Sequence, residues 1–133
     1  MRPARDTVVL HSGEDVVIAR QAVRRGAIEL GFSLVNQTKI VTAASELARN
    51  TVQHGGGGVM TIERVHEGPR QGLSLTFADA GPGIADIERA MRDGYTTSGG
   101  LGLGLSGARR LSDRFSITSA PGQGTTVVII RWK

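Results

Sequence analysis

The chain contains no cysteine. A disulfide framework and a thiolate metal site are therefore excluded, and a reducing, cytoplasmic setting is expected. Aromatic side chains make up only 4% of residues, so the core must be built mainly from Val, Ile, Leu and Ala. No apolar run approaches the ~20 residues of a membrane span. The N-terminus lacks the apolar stretch of a signal peptide, and no membrane association is expected. Two nucleotide signatures are also missing. There is no G-x-x-x-x-G-K-[ST] loop, and none of the catalytic-loop or metal-loop motifs of ordinary protein kinases. His11, His54 and His66 show no metal-ligand spacing.

What remains suits a single globular domain over residues 1–133: hydrophobic residues are 39% and charged residues 21%, so a disordered chain is excluded. The net charge is +4, but the basic residues (Arg2, Arg5, Arg20, Arg24, Arg25, Arg49, Arg109 and Arg110) are scattered and have no aromatic platform beside them. They read as a solvated surface or as a docking face for an acidic protein partner. Nucleic-acid binding is not expected. Glycine is the unusual component, 19 of 133 residues, about twice the average frequency of ~7%. The glycines cluster at 55–58, 81–83, 99–107 and 122–124. Such clusters mark sharp turns or close approaches of backbone.

Periodicity and punctuation predict the order β-α-α-β-β-α-loop-α-β-β. A strand is expected over 7–10. Ser12 opens a helix over 14–30, with Asp15 near its positive end and Gly31 as its stop. A second helix covers 35–53, with Ile40, Val41, Ala44, Leu47, Ala48 and Thr51 on its apolar face. A hairpin follows, 59–65 and 73–78 joined by a turn over 67–72. A short helix is expected at 85–91 and another at 105–112. A closing hairpin, 115–119 and 125–132, turns around Pro121-Gly122-Gln123-Gly124. The fold class is α+β: a two-layer sandwich whose mixed sheet is mostly antiparallel, with the helices on one face.

Three features carry chemistry. Glu46 and Asn50 stand one turn apart on the second helix, and His54 lies near the same face. A carboxamide oxygen can ligate Mg²⁺, and a carboxylate can orient or deprotonate an attacking hydroxyl. Taken alone, the pair also fits an ordinary polar helix face. Asp79-Ala80-Gly81-Pro82-Gly83-Ile84 follows a strand directly. Its carboxylate can accept a hydrogen bond from an exocyclic amine such as that of adenine, and Gly81 and Gly83 leave room for a flat ring. Alone, it also fits a plain turn. The third feature runs Thr96-Thr97-Ser98-Gly99-Gly100-Leu101-Gly102-Leu103-Gly104 and ends where a helix begins. Inward N–H groups there suit a phosphate chain. Gly102-Leu103-Gly104-Leu105-Ser106-Gly107 matches the dinucleotide fingerprint literally. It follows no strand, however, and sits in no βαβ unit, so a Rossmann reading is set aside.

In this order, Glu46 with Asn50, Asp79-x-Gly-x-Gly83 and Gly100-x-Gly-x-Gly104 resemble the N, G1 and G2 boxes of the GHKL (Bergerat-fold) ATPases. Gly124-Thr125 resembles the later Gly-Thr element. The size is similar to that of the bacterial anti-sigma-factor serine/threonine kinases. The wording of Ser45-Glu46-Leu47-Ala48-Arg49-Asn50, Asp93-Gly94-Tyr95-Thr96-Thr97-Ser98-Gly99-Gly100-Leu101-Gly102 and Ala19-Arg20-Gln21 is similar to the RsbT-type switch kinases of the stressosome. The resemblance implies ATP and Mg²⁺ as cofactors. It implies Glu46 as general base and Asn50 as the Mg²⁺ ligand. Asp79 would bind the adenine amine, with Gly81, Gly83, Ile84 and Thr125 around the ring. Thr97, Gly99, Gly100, Leu101, Gly102, Leu103 and Gly104 would lie over the phosphates. Arg49 would contact phosphate or a partner. His54 departs from the RsbT wording but suits the wider anti-sigma branch. The implied partners are STAS-domain scaffold proteins, phosphorylated on Ser or Thr, and a PP2C-type phosphatase activated by binding. The alternative is an anti-sigma factor that sequesters a sigma factor under control of ATP. A structural adaptor without a cofactor would need three motif coincidences in order.

Overall fold

The computed structural model describes residues 5–92 and 104–133. Strands β1 (Arg5–Leu10), β2 (Gly58–Glu67), β3 (Arg70–Asp79), β4 (Arg114–Ser119) and β5 (Thr125–Trp132) form one sheet in the order β1-β2-β3-β5-β4. Every pairing in it is antiparallel. Helices α1 (Gly13–Leu30) and α2 (Leu34–Gln53) form a hairpin inserted between β1 and β2. Two short helices, α3 (Ile87–Ala90) and α4 (Leu105–Arg110), belong to the connection from β3 to β4.

Strand alternation decides which side of the sheet the helices cover. The register aligns Ile62, Leu75 and Ile129 in one row, and Met60, Phe77 and Val127 in the next. All six are buried, in one cluster with Val16, Ala19, Val23 and Ala27 of α1 and Ile40, Val41, Ala44, Leu47 and Ala48 of α2. The intervening row, Thr61, Thr76 and Val128, is only partly buried. The helices therefore pack on one face. Alanines at their contact surfaces let the helix axes approach the sheet closely, and the branched residues of the strands fill the space between.

The helix ends are built locally. The Asp15 carboxylate, in the first turn of α1, accepts from the backbone N–H of His11 (2.7 Å) and Ser12 (3.2 Å). At the other end Gly31, at φ 88°, closes α1, and the Phe32 N–H returns to the Ala27 carbonyl at 2.9 Å. This folds the chain back within a few residues and buries Phe32. Ser33 then caps α2, its Oγ accepting from the Asn36 N–H at 3.2 Å. Helix α2 starts one residue earlier than its apolar pattern suggests, because Ser33 caps it.

Other departures are short. The β2–β3 turn is only Gly68-Pro69, because Gly68 takes φ 58° and Glu67 already pairs with Arg70. The strands on either side are correspondingly longer than their apolar cores suggested. The helix expected over 85–91 is confined to Ile87–Ala90, capped by Asp86 accepting from the Arg89 N–H at 3.0 Å. Arg131 lies on the helix-facing side of β5 in alternation with Ile129. Its guanidinium donates to the Leu111 carbonyl at the end of α4 and to Asn36 Oδ1 on α2, both at 2.9 Å. It fastens both helices to the sheet.

Leu75 sits on the central strand with no exposed surface. Replacing it with alanine is expected to cost ~2–5 kcal/mol, the usual price of a core cavity. Urea unfolding followed by circular dichroism checks this.

Candidate functional site

The strand order places the end of β3 beside the start of β5, so that Asp79 faces Thr125 across the ladder. The C-terminal half of α2 passes over this corner. A pocket opens there, with a volume of about 50 Å³. Leu47, Phe77, Ile84, Leu105 and Val127 supply apolar walls. Asn50, Thr51, His54, Asp79 and Thr125 supply the polar groups. A largely apolar slot with a few convergent polar atoms suits a flat heteroaromatic ring.

Asp79 is held by backbone. Its Oδ1 accepts from the N–H of Gly81 at 2.9 Å and of Thr125 at 3.2 Å. Both bonds end on the same oxygen. The carboxylate is thus fixed in direction, and its Oδ2 lies against Gly55 at the end of α2. Gly55, just past α2, explains how the helix can come so near. A Cβ built there would lie 2.5 Å from Asp79 Oδ2. No side chain fits between helix end and carboxylate.

Ser119, at the end of β4, ties the loop after β3 to the start of β5. Its Oγ accepts from the Ile84 N–H at 2.8 Å and lies 3.0 Å from the Gly124 carbonyl and 2.8 Å from Thr125 Oγ1. The Gly122 N–H adds a bond to the Pro82 carbonyl at 2.7 Å. Gly83, at φ 77°, makes the turn that sends Ile84 back over the pocket. Sequence reasoning missed Ser119 and Gly55. A signal for Ser119 was present: it continues the inward-facing series Phe115, Ile117, Ser119, and a polar residue there needs a partner.

His54 is the C-cap residue of α2. Its Nε2 is buried and has no hydrogen-bond partner among the described residues. A buried imidazole nitrogen left unpaired costs free energy that a ligand atom can return. This is the observation by which the pocket fits a nucleotide base or sugar.

Glu46 and Arg49 do not line this pocket. They stand at its rim, on the adjoining exposed face of α2, paired with each other at 3.3 Å with 38% and 47% of their side chains exposed. Gly104, which begins α4 at φ 66°, packs directly on Glu46: a Cβ there would lie 2.5 Å from Oε2. Gly104, at the start of α4, therefore meets Glu46 beside the pocket wall that Leu105 supplies. Of the predicted residues, the pocket gathers Asn50, His54, Asp79, Gly83, Ile84 and Thr125, with Gly81 bonded to Asp79. Thr97, Gly99, Gly100, Leu101, Gly102 and Leu103 lie outside the described residues. Among the described residues no cluster of three His, Asp or Glu side chains could hold a metal.

Comparisons with known proteins agree with this geometry. The family model described as histidine kinase-, DNA gyrase B-, and HSP90-like ATPase matches residues 22–133. The chain is 50% identical over 118 residues to the serine/threonine-protein kinase RsbT of Bacillus subtilis strain 168, covering 89% of each protein. It is 34% identical over 125 residues to an anti-sigma F factor of Pasteuria penetrans, covering 89% of this chain and 83% of the relative. Among solved structures, the RsbU and RsbW domains of a Mycobacterium tuberculosis protein superimpose with a TM-score of 0.69 at 19% identity. That match covers 99% of this chain and 33% of the other. At that identity it speaks to the fold alone.

Removing the Ser119 hydroxyl strands the Ile84 N–H and frees the Gly124–Thr125 turn. Ser119→Ala is expected to weaken ATP binding roughly tenfold, or ~1.4 kcal/mol, whereas Ser119→Thr retains the hydroxyl and most of the affinity. Isothermal titration with a non-hydrolysable ATP analogue reads both; equal affinity in all three proteins would show that Ser119 does not hold the site.

Proposed function

Because the chain belongs to the histidine kinase-, DNA gyrase B- and HSP90-like ATPases, we propose that it is an ATP-dependent protein serine/threonine kinase working by partner switching in the cytoplasm. In this reading residues 1–133 act as one catalytic domain. Its substrates are Ser or Thr side chains on STAS-domain scaffold proteins of stressosome type. Once released from them, it activates a PP2C-type phosphatase by binding. The observation that carries the reading is the division of one corner between two tasks. Asn50 and Asp79 line the pocket, while Glu46 stands outside it, one turn earlier on α2 and 38% exposed, where a hydroxyl from another protein can reach it.

The residues divide accordingly. Asp79 Oδ2 accepts from the exocyclic amine of adenine, and Oδ1 stays committed to backbone. Leu47, Phe77, Ile84 and Val127 cover the ring, and Thr125 flanks it. His54 Nε2 gains its missing partner from the nucleotide. The Asn50 amide oxygen would hold Mg²⁺, which would neutralise phosphate charge there. The residues up to Gly104 lie over the phosphates. Arg49 is left to meet phosphate or the incoming protein.

Glu46 is the base. As the substrate hydroxyl oxygen forms its bond to the γ-phosphorus, the bond from that phosphorus to the bridging oxygen breaks and ADP leaves. The hydroxyl proton passes to the Glu46 carboxylate. Transfer of this kind depends mostly on positioning and charge stabilisation. The pocket supplies the first, and Mg²⁺ supplies much of the second when bound.

A second reading is favoured by the anti-sigma F relatives: the chain would sequester a sigma factor, with ATP acting mainly as a switch on affinity. Nucleotide-dependent capture of a sigma factor, without labelling of a STAS protein, would mark that case.

A transfer assay with γ-labelled ATP, Mg²⁺ and a cognate STAS-domain protein tests the proposal. Label is expected on a STAS Ser or Thr. Glu46→Ala is expected to lower transfer at least 10²-fold, the scale of a lost general base, while ATP binding persists. Full phosphorylation by that variant would remove Glu46 as base. Separately, Asp79→Asn is expected to weaken adenine-nucleotide binding, and unchanged affinity would refute its contact with the amine.

A further inference from the structure

Six large apolar side chains are exposed among the described residues: Val9, Val17, Ile18, Ile28, Leu34 and Val35, and the two most exposed, Leu34 and Val35, adjoin the turn between α1 and α2. Leu34 and Val35, the first two residues of α2, are 72% and 62% exposed. Ile28, on the last turn of α1, is 54% exposed. The tight turn through Gly31 puts these helix ends side by side. Neighbouring large apolar side chains left in water on a small protein commonly mark a binding surface.

The charge around this tip has one sign. Arg25 stands one turn before Ile28, and Lys39 one turn after Val35. The Lys133 ammonium reaches over the end of α1, where a Cβ on Gly31 would lie 3.2 Å from Nζ. From residue 25 to residue 39 only Glu29 is acidic, and Arg64 neutralises it at 2.9 Å. A partner that buries Ile28, Leu34 and Val35 must therefore bring acidic groups to meet Arg25, Lys39 and Lys133. A helix with one apolar and one acidic stripe has that chemistry.

Position separates this patch from phosphoryl transfer. Glu46 lies twelve residues along α2 from Leu34, roughly 18 Å at the helical rise. A short segment docked on the tip does not bring its hydroxyl to Glu46. From these observations we infer that the Ile28–Leu34–Val35 tip is the docking surface for the output partner, the phosphatase that the chain activates without phosphorylating, through an acidic amphipathic helix of that partner. The inference rests on the partner-switching reading given above.

The double variant Leu34→Asp/Val35→Asp tests it. Both positions are exposed in the first turn of a helix, where Asp suits the macrodipole, so folding is expected to persist. Two readouts are taken with each protein: transfer of label to the STAS protein, and stimulation of the PP2C-type phosphatase on a phosphoprotein substrate. Transfer is expected to stay within about twofold of wild type, while the concentration for half-maximal phosphatase activation rises at least tenfold, ~1.4 kcal/mol. Lys39→Glu is expected to shift activation in the same direction, with wild-type activation weakening as salt is raised. Wild-type activation by both variants would overturn the inference. So would parallel loss of transfer and activation in a folded double variant, since the tip would then serve the substrate. A wild-type chain that labels the STAS protein yet never activates the phosphatase would instead remove the output-partner reading itself, and the docking surface with it.

Discussion

The Asp79 carboxylate is where sheet topology becomes a binding site. Its Oδ1 holds the N–H groups of Gly81 and Thr125, so one atom joins the end of β3 to the start of β5. Those strands are neighbours only because β4 is displaced to the edge of the sheet. The connection that displaces it carries the loop, α3 and α4. Moving Asp79 would disturb the ladder corner, the turn after β3 and the pocket wall together. A carboxylate with one oxygen tied to backbone also gains direction. It pays little entropy when a ligand arrives, which is the benefit of a preorganised site.

Helix α2 spreads function along its length. At its start Leu34 and Val35 project into water. Midway, Glu46 and Arg49 occupy the rim. At the end Asn50, Thr51 and His54 line the pocket and Gly55 lets the helix press against Asp79. The opposite stripe, Ile40, Val41, Ala44, Leu47 and Ala48, is buried throughout. That stripe fixes the rotation of the helix, and rotation decides which residues reach nucleotide, substrate and solvent. Arg131 reinforces the arrangement by tying Asn36, near the α2 start, to the end of α4. The rim and the segment that meets it are therefore braced from the same strand.

Much of this was legible in the residues. Apolar alternation located β5 to the residue, and helical spacing found the buried stripe of α2. Asn50, Asp79, Gly83 and Thr125, singled out by their order along the chain, line one pocket, and Glu46 stands outside it. What escaped was contact between distant segments. Gly55 looked like part of a helix stop; its reason is a carboxylate from another strand. Ser119 looked like a strand terminus; its partners are Ile84, Gly124 and Thr125. The tight Gly68-Pro69 turn was hidden because Glu67 and Arg70 are polar residues that pair in the ladder, and polarity reads as loop. Local propensity carries no information about such pairings.

In the kinase reading, the Glu46–Arg49 pair would keep the base in place without spending it. Both side chains are partly exposed, and such a pair contributes at most ~1 kcal/mol. A protein hydroxyl approaching the rim can therefore displace the guanidinium at small cost. Arg49 is then released on the same face, within reach of the negative charge that the transfer concerns. Gly104 limits the alternatives. It packs so close to Glu46 Oε2 that a Cβ there would lie 2.5 Å away, so no larger residue fits beside the carboxylate. In the kinase reading, a weak bond on one side and a backbone wall on the other give a base that is masked at rest and already aimed when the substrate arrives.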